Sequence, residues 1–554
     1  MTTSSAAPAS LDVDVIVVAS RIGADGPELV SHPALVGLHE QFSAVGYTGK
    51  ADEFVRLPYV EGSRATVAVI GIGKVLSATT ARRAAGSAVR QLAGTGAVAL
   101  AFGLDDESHV LAMIDGASIA AYAFTNYRAK TSKDIKSPVG EVTVCTTAAV
   151  SAEAIERIRL ITDHVSLVRD LTNRSGGDLF PQSFADAAIE AAKGAPVTVE
   201  VWDEKKLAAE GCGGIIGIGQ GSSRPPRLIK ISYAPAGAEK HVAFVGKGIT
   251  YDTGGISLKP ADAMNGMQND MSGAAVSLAT LLAAARLGLP VRMTAFLCMA
   301  ENLVSSTAIR VNDILTMRGG TTVEVMNTDA EGRLVMADGL VLASEEQPDA
   351  IIDVATLTGA VVVSLGRRTV GVMGDTELAA AIVASGEQTG EPHWHMPLPE
   401  ELRAQLDSRF ADMANLKVGN RDGGMLVAGI FLREFVGNAV DGAQIPWAHL
   451  DIAGAAVNEG PAYGFLAEGA TGVSVRTLLA AIEERFGLYQ DTSRIGQRRY
   501  WQTALAERGL LLDGFDLRVR PELPQPAGAP LGDWRSERQR TALHRVTASL
   551  PVRM

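Results

Sequence analysis

Two carboxylates, a guanidinium group and a glycine lie together in the eight-residue stretch Asn327–Leu334, which reads NTDAEGRL. In an extended segment, Asp329, Glu331 and Arg333 would point to the same side, because side chains alternate with period two. Two carboxylates on one side of a short segment suit a divalent cation. The arginine could neutralise them or hold an anion beside a metal. Alone, the stretch could also be a solvated acidic turn, so other residues must decide between these interpretations.

A second group of charged residues lies upstream and consists of Lys247, Asp252, Lys259 and Asp270. The apolar run His241–Val245 precedes it and predicts a buried strand, which places the polar residues at a strand end and in a Gly-rich loop. Open α/β sheets bind ligands at such strand ends. The Ala- and Leu-rich segment Ser272–Leu287 predicts a helix, with Asp270 close to its N-terminus.

The Gly246–Gly248 segment invites a phosphate-loop interpretation, which we reject. That motif requires a glycine where His241 stands, and it requires Ser or Thr directly after Lys247, where this chain has Gly248. A nucleotide site is therefore not expected here.

At these residues the chain resembles the leucyl aminopeptidases, which are di-metal exopeptidases. The octapeptide Asn327–Leu334 agrees with the family signature without change, and the loop Val245–Pro260 is closely similar. Further similar segments are Asp270–Ala275, Ala355–Ala360 and Trp447–Gly454. The resemblance extends over roughly residues 150 to 480.

The resemblance implies a role for each of thirteen residues. The ligands of two divalent ions would be Lys247, Asp252, Asp270, Asp329 and Glu331, with Asp252 and Glu331 bridging the ions. Lys259 and Arg333 would be the catalytic pair, with Arg333 holding a bicarbonate ion, because a guanidinium group cannot serve as a base. The pocket for the N-terminal side chain would be lined by Met267, Asn327, Ala330 and Thr356, while Leu357 and Gly359 would offer backbone groups to the substrate.

This set of residues is chemically coherent. Four carboxylates this close would repel one another without metal, and two divalent ions would balance them. Lys247 can act as a ligand only as the neutral amine. Two ions about 3.5–4 Å apart can share a water and turn it into a bridging hydroxide, while Lys259 stabilises the developing oxyanion. The expected activity is metal-dependent removal of N-terminal, leucine-like residues from peptides. Mn²⁺ or Zn²⁺ is the expected metal, although such ligands also permit Mg²⁺ and Co²⁺.

Several of these residues have a structural alternative. Lys259 could be an ordinary surface lysine, Arg333 could merely pair with Glu331, and Met267 could fill a gap in the core. We expect His449 to be structural. The two histidines of His393–His395 could suggest a pair of metal ligands. The segment matches no catalytic position of the family, however, and is predicted to be a loop.

Composition limits the remaining function classes. The chain has 554 residues, of which 47% are hydrophobic and 20% are charged, as in soluble multi-domain α/β enzymes. A formal net charge of −12 argues against general nucleic-acid binding. The cysteines Cys145, Cys212 and Cys298 lie far apart, which favours reduced thiols and a cytoplasmic protein. No signal peptide is expected at Met1–Ser10, and no apolar run is long enough to span a membrane.

The predicted fold class is α/β, with a small N-terminal α/β domain and a C-terminal α/β catalytic domain whose mixed sheet is flanked by helices. We assign residues 1–165 to an assembly or regulatory domain and residues 166–486 to the catalytic domain. Residues 487–554 contain many Arg and no Lys. They are interpreted as a lineage-specific extension, a disordered tail or a frameshifted reading frame.

Two loops depart from the family pattern and leave substrate preference and assembly open. Between residues 303 and 313 the chain lacks glycines and prolines that the family usually has, and residues 418–429 also deviate. The family forms hexamers and takes part in peptide catabolism, so a homohexamer is the expectation by resemblance. The alternatives are a catalytically weak scaffold or DNA-binding protein on the same fold, and a dipeptidase with Cys-Gly-type preference.

Overall fold

The computed structural model describes residues 1–30, 45–57 and 65–486. Among these residues, seven strands form a first sheet: β1 Thr2–Ser4, β2 Val15–Ile22, β3 Pro27–Val30, β4 Phe54–Leu57, β5 Thr66–Gly71, β6 Ala97–Leu100 and β7 Glu141–Cys145. Their order is β1-β7-β6-β2-β5-β4, with β3 beside β2. Five of the strands run parallel, namely β1, β7, β6, β2 and β5. Strand β3 pairs antiparallel with β2, and β4 pairs antiparallel with β5.

A second sheet of eight strands forms the centre of the C-terminal part. Its members are β8 Thr198–Trp202, β9 Arg227–Tyr233, β10 His241–Asp252, β11 Arg292–Asn302, β14 Ala350–Ala355, β15 Val370–Gly374, β16 His393–His395 and β18 Trp447–Asp451. The order is β16-β15-β18-β14-β10-β11-β9-β8. The central strands β18, β14, β10 and β11 are parallel, and antiparallel pairs flank them on both sides. The sheet is therefore mixed, as predicted.

Helices cover the sheets. They are α1 Ala78–Gln91, α2 Glu107–Ala120, α3 Ala152–Thr172, α4 Pro181–Ala192, α5 Glu204–Ala209, α6 Gly213–Gly219, α7 Ala261–Met264, α8 Ser272–Arg286, α9 Gly332–Glu345, α10 Gly359–Leu365, α11 Thr376–Thr389, α12 Gly424–Arg433 and α13 Val475–Arg485. Helices α1 and α2 pack on the first sheet. Helices α3, α4, α8, α11 and α13 cover one face of the second sheet, and α5, α6, α9 and α12 cover the other. Two separate α/β domains result, which confirms the predicted fold class.

Alternating side chains of β10 pack on opposite faces of the second sheet. Val242 and Phe244 belong to the core under α8, whereas Ala243 and Val245 belong to the core under α9. All four are fully buried. A strand covered on both faces is apolar at every position, which is why the sequence shows a continuous apolar run here instead of alternation.

Strand β10 is longer than the sequence predicts. It continues to Asp252 rather than ending at Val245, so Lys247 lies inside a strand and not in a Gly-rich loop. The glycines in this run allow close packing: a Cβ atom on Gly246 would lie only 2.6 Å from the Cα atom of Ala274 in α8. Glycine inside a strand often marks such a close approach, and the prediction mistook it for a turn signal.

The prediction of a loop at His393–His395 is wrong. This segment is the edge strand β16, which pairs in parallel with β15 through Val370 and Val372. Both ring nitrogens of the buried His393 have protein partners, because Nδ1 contacts the carbonyl oxygen of Glu391 and Nε2 lies 3.0 Å from Oγ of Ser474. Sheet pairing thus satisfies the backbone, and the trio is not a metal pair.

Short elements complete the described fold. Strands β12 Ile314–Thr316, β13 Thr322–Glu324 and β17 Met413–Ala414 form a small sheet, and β19 Val457–Asn458 pairs with β20 Gly469–Ala470. The 3₁₀ turns are Pro8–Ser10, Ser132–Asp134, Met267–Asn269 and Glu400–Leu406. The three cysteines are free and buried. No helix within the described ranges has the length and apolar character needed to cross a bilayer. The predicted extension at residues 487–554 lies outside the described residues.

Candidate metal centre

The candidate site lies at the C-terminal ends of the parallel strands. Strand β10 carries Lys247 near its middle and Asp252 at its last position, where Asp252 is paired with Asn302 of β11. Thr356 directly follows β14, and Asp270 directly precedes the turn into α8. Because parallel strands end at one edge of a sheet, residues far apart in sequence meet there.

The stretch Asn327–Leu334 is not extended, so the period-two argument for it is wrong. Thr328 and Asp329 form a turn, and α9 begins at Gly332. A turn followed by a helix nevertheless brings the carboxylates together. One carboxylate oxygen from each of Asp252, Asp329 and Glu331 lies within 4.8 Å of the others. Arg333 lies in α9 and forms no ion pair with these carboxylates.

We call Asp252, Asp270, Asp329 and Glu331 the carboxylate cluster. Two ammonium groups hold it together. Nζ of Lys247 lies 2.8 Å from both Asp270 and Glu331 and donates to the carbonyl oxygen of Thr356 at 2.9 Å. Nζ of Lys259 lies 2.9 Å from Asp252 and 2.5 Å from Asp329. All four carboxylates predicted as ligands therefore contact one of the two lysines.

Burial and charge perturb these groups strongly. Burial and the neighbouring Glu331 raise the pKa of Asp252 to about 6. Burial also raises the pKa of Asp270 well above its usual value, despite the opposing charge of Lys247. Burial would lower the pKa of Lys247, but the carboxylates of Asp270, Glu331 and Asp252 outweigh it and raise the pKa. In the absence of metal Lys247 is therefore an ammonium group.

The donor set fits divalent cations. Four carboxylates and two ammonium groups leave an excess of negative charge in a buried site, which is costly without further cations. Oε2 of Glu331 is buried and has no hydrogen-bond partner among the described residues, while Oδ2 of Asp270 and Oδ1 of Asp329 are buried against the ammonium groups of Lys247 and Lys259. Oxygen atoms that are buried and unsatisfied, together with an amine that could become neutral, are suitable metal ligands.

Gly332 provides space for the Lys247 side chain. A Cβ atom at Gly332 would lie 2.5 Å from Cε and 2.7 Å from Nζ of Lys247. The first turn of α9 can thus approach β10 closely enough for Glu331 to reach the same ammonium group. The glycine in the octapeptide is therefore needed for its small size.

Arg333 is held apart from the carboxylates. One of its terminal nitrogens donates to the carbonyl oxygen of Asn415 at 2.6 Å, and its guanidinium group lies 5.9 Å from the ring centroid of Phe431. The structure shows no ion pair between Arg333 and Glu331 among the described residues. Burial lowers the pKa of Arg333 to about 10. Nε of Arg333 is buried without a hydrogen-bond partner, so the group has a free donor for an anion.

Sequence reasoning missed three residues that position the cluster. The side-chain nitrogen of Asn302 donates to Asp252 at 2.8 Å and to the carbonyl oxygen of Thr328 at 3.0 Å. The Thr328 hydroxyl donates to the carbonyl oxygen of Gly254 and accepts from the backbone of Ser257. These contacts fasten the Lys259 loop to the turn before α9. A single asparagine after an apolar run has no distinctive pattern, so the sequence offered no signal for Asn302.

Asn415 is the third positioning residue. Its side-chain nitrogen donates to the carbonyl oxygen of Asn327 at 2.7 Å, and its own carbonyl oxygen accepts from Arg333. It is completely buried. One asparagine therefore fixes both ends of the NTDAEGRL stretch. It follows β17, in a region that has no sequence signal for a site.

The residues predicted to contact substrate differ in their burial and in their hydrogen bonds. The Thr356 hydroxyl donates to Asp270 at 2.7 Å, and Oδ1 of Asn327 accepts from the backbone of Asp329 at 2.8 Å, so both orient the carboxylate cluster. The Leu357 backbone N–H donates to Asp451 at 3.2 Å. Gly359 is exposed, Met267 is half-buried and Ala330 is buried.

The altered loop at residues 303–313 retains a left-handed backbone position. Asn312 has a φ angle of 72°, a conformation that glycine adopts most easily and that Asn tolerates better than most residues. Its side chain donates to Glu324 at 3.0 Å. Asparagine therefore makes this conformation available in a segment that lacks the glycines usual in the family.

His449 is a core residue, as expected. It is fully buried in β18 and hydrogen-bonds through Nδ1 to Asp353 of β14, which also accepts from the indole N–H of Trp447 at 2.6 Å. These contacts join neighbouring strands beneath the site.

Comparisons with known proteins agree with this arrangement. The family model "Cytosol aminopeptidase family, catalytic domain" matches residues 166–479, and the model of the N-terminal domain of the same family matches residues 34–131. The probable cytosol aminopeptidase of Leifsonia xyli subsp. xyli (strain CTCB07) is 51% identical over 488 residues, which cover 88% of this chain and 98% of the relative. That of Clavibacter michiganensis subsp. michiganensis (strain NCPPB 382) is 51% identical over 479 residues, covering 85% and 95%.

A similar solved structure is the bottromycin maturation enzyme BotP in complex with Mn. It is 35% identical to this chain with a TM-score of 0.75, and the match covers 85% of this chain and 99% of BotP.

Proposed function

The chain belongs to the cytosol aminopeptidase family of metal-dependent aminopeptidases, and on this premise we propose that it removes leucine-like N-terminal residues from peptides with two divalent ions. The observation that carries the proposal is the carboxylate cluster with its two lysines. The cluster would hold the ions through Lys247, Asp252, Asp270, Asp329 and Glu331. Bound divalent ions would supply Lewis-acid chemistry and make a water more acidic.

The two lysines would have different tasks. The Lys247 side chain is 3% exposed and lies under α9, so it can reach the cluster but not a peptide. The Lys259 side chain is 15% exposed and lies on a loop at the open side of the cluster. Its ammonium group would donate to the scissile carbonyl and stabilise the oxyanion, a contribution that strengthens as charge develops.

Arg333 would hold an anion that moves protons during the reaction. A guanidinium group is a poor base, but the free Nε donor of Arg333 can orient a bicarbonate ion. Asn415 keeps the other side of the guanidinium group fixed. This division of labour explains why an arginine belongs beside, and not inside, the carboxylate cluster.

Substrate preference would depend on the pocket for the N-terminal side chain. Met267 and Ala330 would supply its apolar surface, and Asn327 and Thr356 would form its polar edge. The carbonyl oxygen of Leu357 and the backbone of Gly359 would contact the peptide, since the N–H of Leu357 is already donated to Asp451. An apolar pocket of this kind favours leucine-like residues over charged ones.

The metal and the assembly belong to the same proposal. Mn²⁺ is favoured by carboxylate-rich ligation and by the complex of the similar BotP with Mn, with Zn²⁺ as the second choice. We also propose domain limits at residues 165 and 486, a homohexamer, and a cytoplasmic role in peptide catabolism. Sedimentation of the full chain tests the hexamer, which a monomer at micromolar concentration would refute.

Replacement of Glu331 tests the proposed site. Glu331→Gln keeps the size of the side chain but removes a negative charge from the carboxylate cluster, so we expect both bound metal and hydrolysis of leucyl anilide to be lost. Glu345→Gln, at the last position of the helix that Glu331 precedes, is the matched control, because Glu345 pairs with Arg318 at the surface. Circular dichroism should show both variants folded. A Glu331→Gln protein with full metal content and normal turnover would contradict the proposal.

A further inference from the structure

A cavity of about 360 Å³ lies between the two α/β domains. It shares no lining residue with the carboxylate cluster. One wall comes from the N-terminal domain, with Ile72 and α1, and the other comes from the segment that follows β19, with Tyr463 and Phe465. Small-molecule sites in proteins have volumes of about 300–1,000 Å³ and often lie between domains.

Much of the lining of this interdomain cavity is apolar. Its lining includes Ile72, Ala84, Val165, Phe465 and Val473. Phe465 is buried and packs into the core of the N-terminal domain, although it belongs to the C-terminal part of the chain. An apolar body of limited length would therefore be desolvated by side chains of both domains.

The cavity also carries two arginines without a carboxylate partner. Arg83 and Arg368 are exposed lining residues, and neither forms an ion pair with any described residue. The guanidinium group of Arg368 lies 3.5 Å from the ring centroid of Tyr463. Burial raises the pKa of Tyr463, and the charges of Arg368 and Arg83 oppose the rise. A Cβ atom on Gly464, the residue after Tyr463, would lie 3.5 Å from Cγ of Arg83. Both arginines therefore lie close to Tyr463, where one anion could contact the two of them.

A third arginine adds a buried donor. Arg476 lines the cavity, is 5% exposed and has an Nε atom without a hydrogen-bond partner. Its terminal nitrogens bind Asp115 and Glu391. The cavity carboxylates are already engaged, because Asp52 accepts from the backbone N–H of Gly464 and Glu391 accepts from Thr477. The charged side chains of the cavity lining that form neither an ion pair nor a hydrogen bond with a described residue are therefore Arg83 and Arg368, and both carry a positive charge.

We propose that the interdomain cavity binds a small organic anion, namely a carboxylate on an apolar body, with the carboxylate on Arg83 and Arg368 and the apolar body against Phe465. Such a group can come from a free apolar acid or from the C-terminus of a short peptide. Arginine suits this task because its planar fork matches a carboxylate. Since both domains line the cavity, the bound anion would stabilise their arrangement.

Binding of octanoate to the full chain by isothermal titration calorimetry tests the proposal. We expect saturable binding with one site per chain, a rise in melting temperature, and at least tenfold weaker binding in the double variant Arg83→Ala/Arg368→Ala. The matched control is Arg367→Ala, which removes an adjacent arginine that pairs with Glu459 and does not line the cavity. This control should bind octanoate like the parent protein.

Further ligands identify the source of the carboxylate and test the charge. An N-acetylated dipeptide acid that binds in the same arginine-dependent way would indicate peptide C-termini, and binding of octanoate alone would indicate free acids. Octylamine should not bind. Absence of binding by both acids, or equal octanoate affinity in the parent and the double variant, would overturn the proposal. Equal affinity in the parent and the double variant would indicate that octanoate binds at the metal centre instead, because binding there does not depend on Arg83 and Arg368. Activity is not needed for any of these measurements.

Discussion

Two lysines at the candidate site make similar contacts but have different accessibility. Each ammonium group bridges two carboxylates, Lys247 between Asp270 and Glu331, and Lys259 between Asp252 and Asp329. Only Lys259 lies on a loop that a peptide can approach. The contacts alone would assign both lysines the same role, and their positions in the fold separate the proposed ligand from the proposed catalytic group.

Replacing Lys259 should therefore affect chemistry and not metal binding. We expect Lys259→Met to lower kcat by about 10²–10³, the usual cost of losing an oxyanion donor. Its metal content should stay the same, because the substitution removes a competing cation from Asp252 and Asp329. Metal analysis and steady-state kinetics measure the two quantities. Lys240→Met is the control, since Lys240 pairs with Asp349 at the surface. Loss of metal in Lys259→Met would make Lys259 a structural residue.

Residue identity could be predicted from the sequence better than residue geometry. The NTDAEGRL stretch, the Lys247–Lys259 segment and Asp270 before α8 together contain every member of the carboxylate cluster. The predicted reason for their convergence was wrong, because Asp329 and Glu331 meet through a turn and a helix start. Asn302 and Asn415 could not be found this way. Their function depends on hydrogen bonds to backbone atoms of distant segments, and a single asparagine has no distinctive pattern.

At the scale of elements, close packing between β10, α8 and α9 forms the site. Gly246 lets α8 approach β10, and Gly332 lets α9 pass over Lys247. Sequence patterns predicted α8 well, because the helix begins at the expected Ser272 and ends one residue before the expected Leu287. The patterns failed for β10, because a sequence does not distinguish a glycine that allows close packing from a glycine in a turn.

The link between β11 and the metal loops gives a prediction at this scale. Asn302→Ala removes the donor that joins Asp252 to the turn at Thr328, so we expect metal affinity to fall about 10- to 100-fold, as for other residues that orient ligands. Metal titration by calorimetry measures the change. Asn438→Ala, in an exposed segment, should bind metal like the parent protein. Unchanged affinity in Asn302→Ala would mean that the strand end alone positions Asp252.

At the scale of the whole molecule, buried charges connect the two domains. Oδ2 of Asp115 in α2 lies 2.7 Å from both Arg82 and Arg476, and Arg476 comes from α13 of the C-terminal part. Both guanidinium groups are buried. Removing one member of a buried ionic network leaves charge uncompensated. This network, like the interdomain cavity, could not be predicted from the sequence, since Arg476 lies 361 residues from Asp115 along the chain.

Asp115→Asn should lower the stability of the whole chain. We expect a loss of about 3 kcal/mol in the free energy of unfolding, near the lower end for a broken buried pair because Glu391 still binds Arg476. Chemical denaturation followed by circular dichroism measures it. Asp163→Asn is the control, since Asp163 pairs with Arg159 at the surface and exposed pairs contribute about 0–1 kcal/mol. Equal stability of the two variants would mean that the domains are not joined through Asp115.

The most direct test of the account is turnover of leucyl anilide by the full chain with added Mn²⁺, compared with a chelated sample and with the N-acetylated substrate. If the chain is a di-metal exopeptidase, hydrolysis should require both metal and a free amino terminus. Activity lost on chelation should return when Mn²⁺ is added back to the protein. Hydrolysis that persists after chelation, equal hydrolysis of the N-acetylated substrate, or no turnover by a folded, metal-loaded chain would contradict the account.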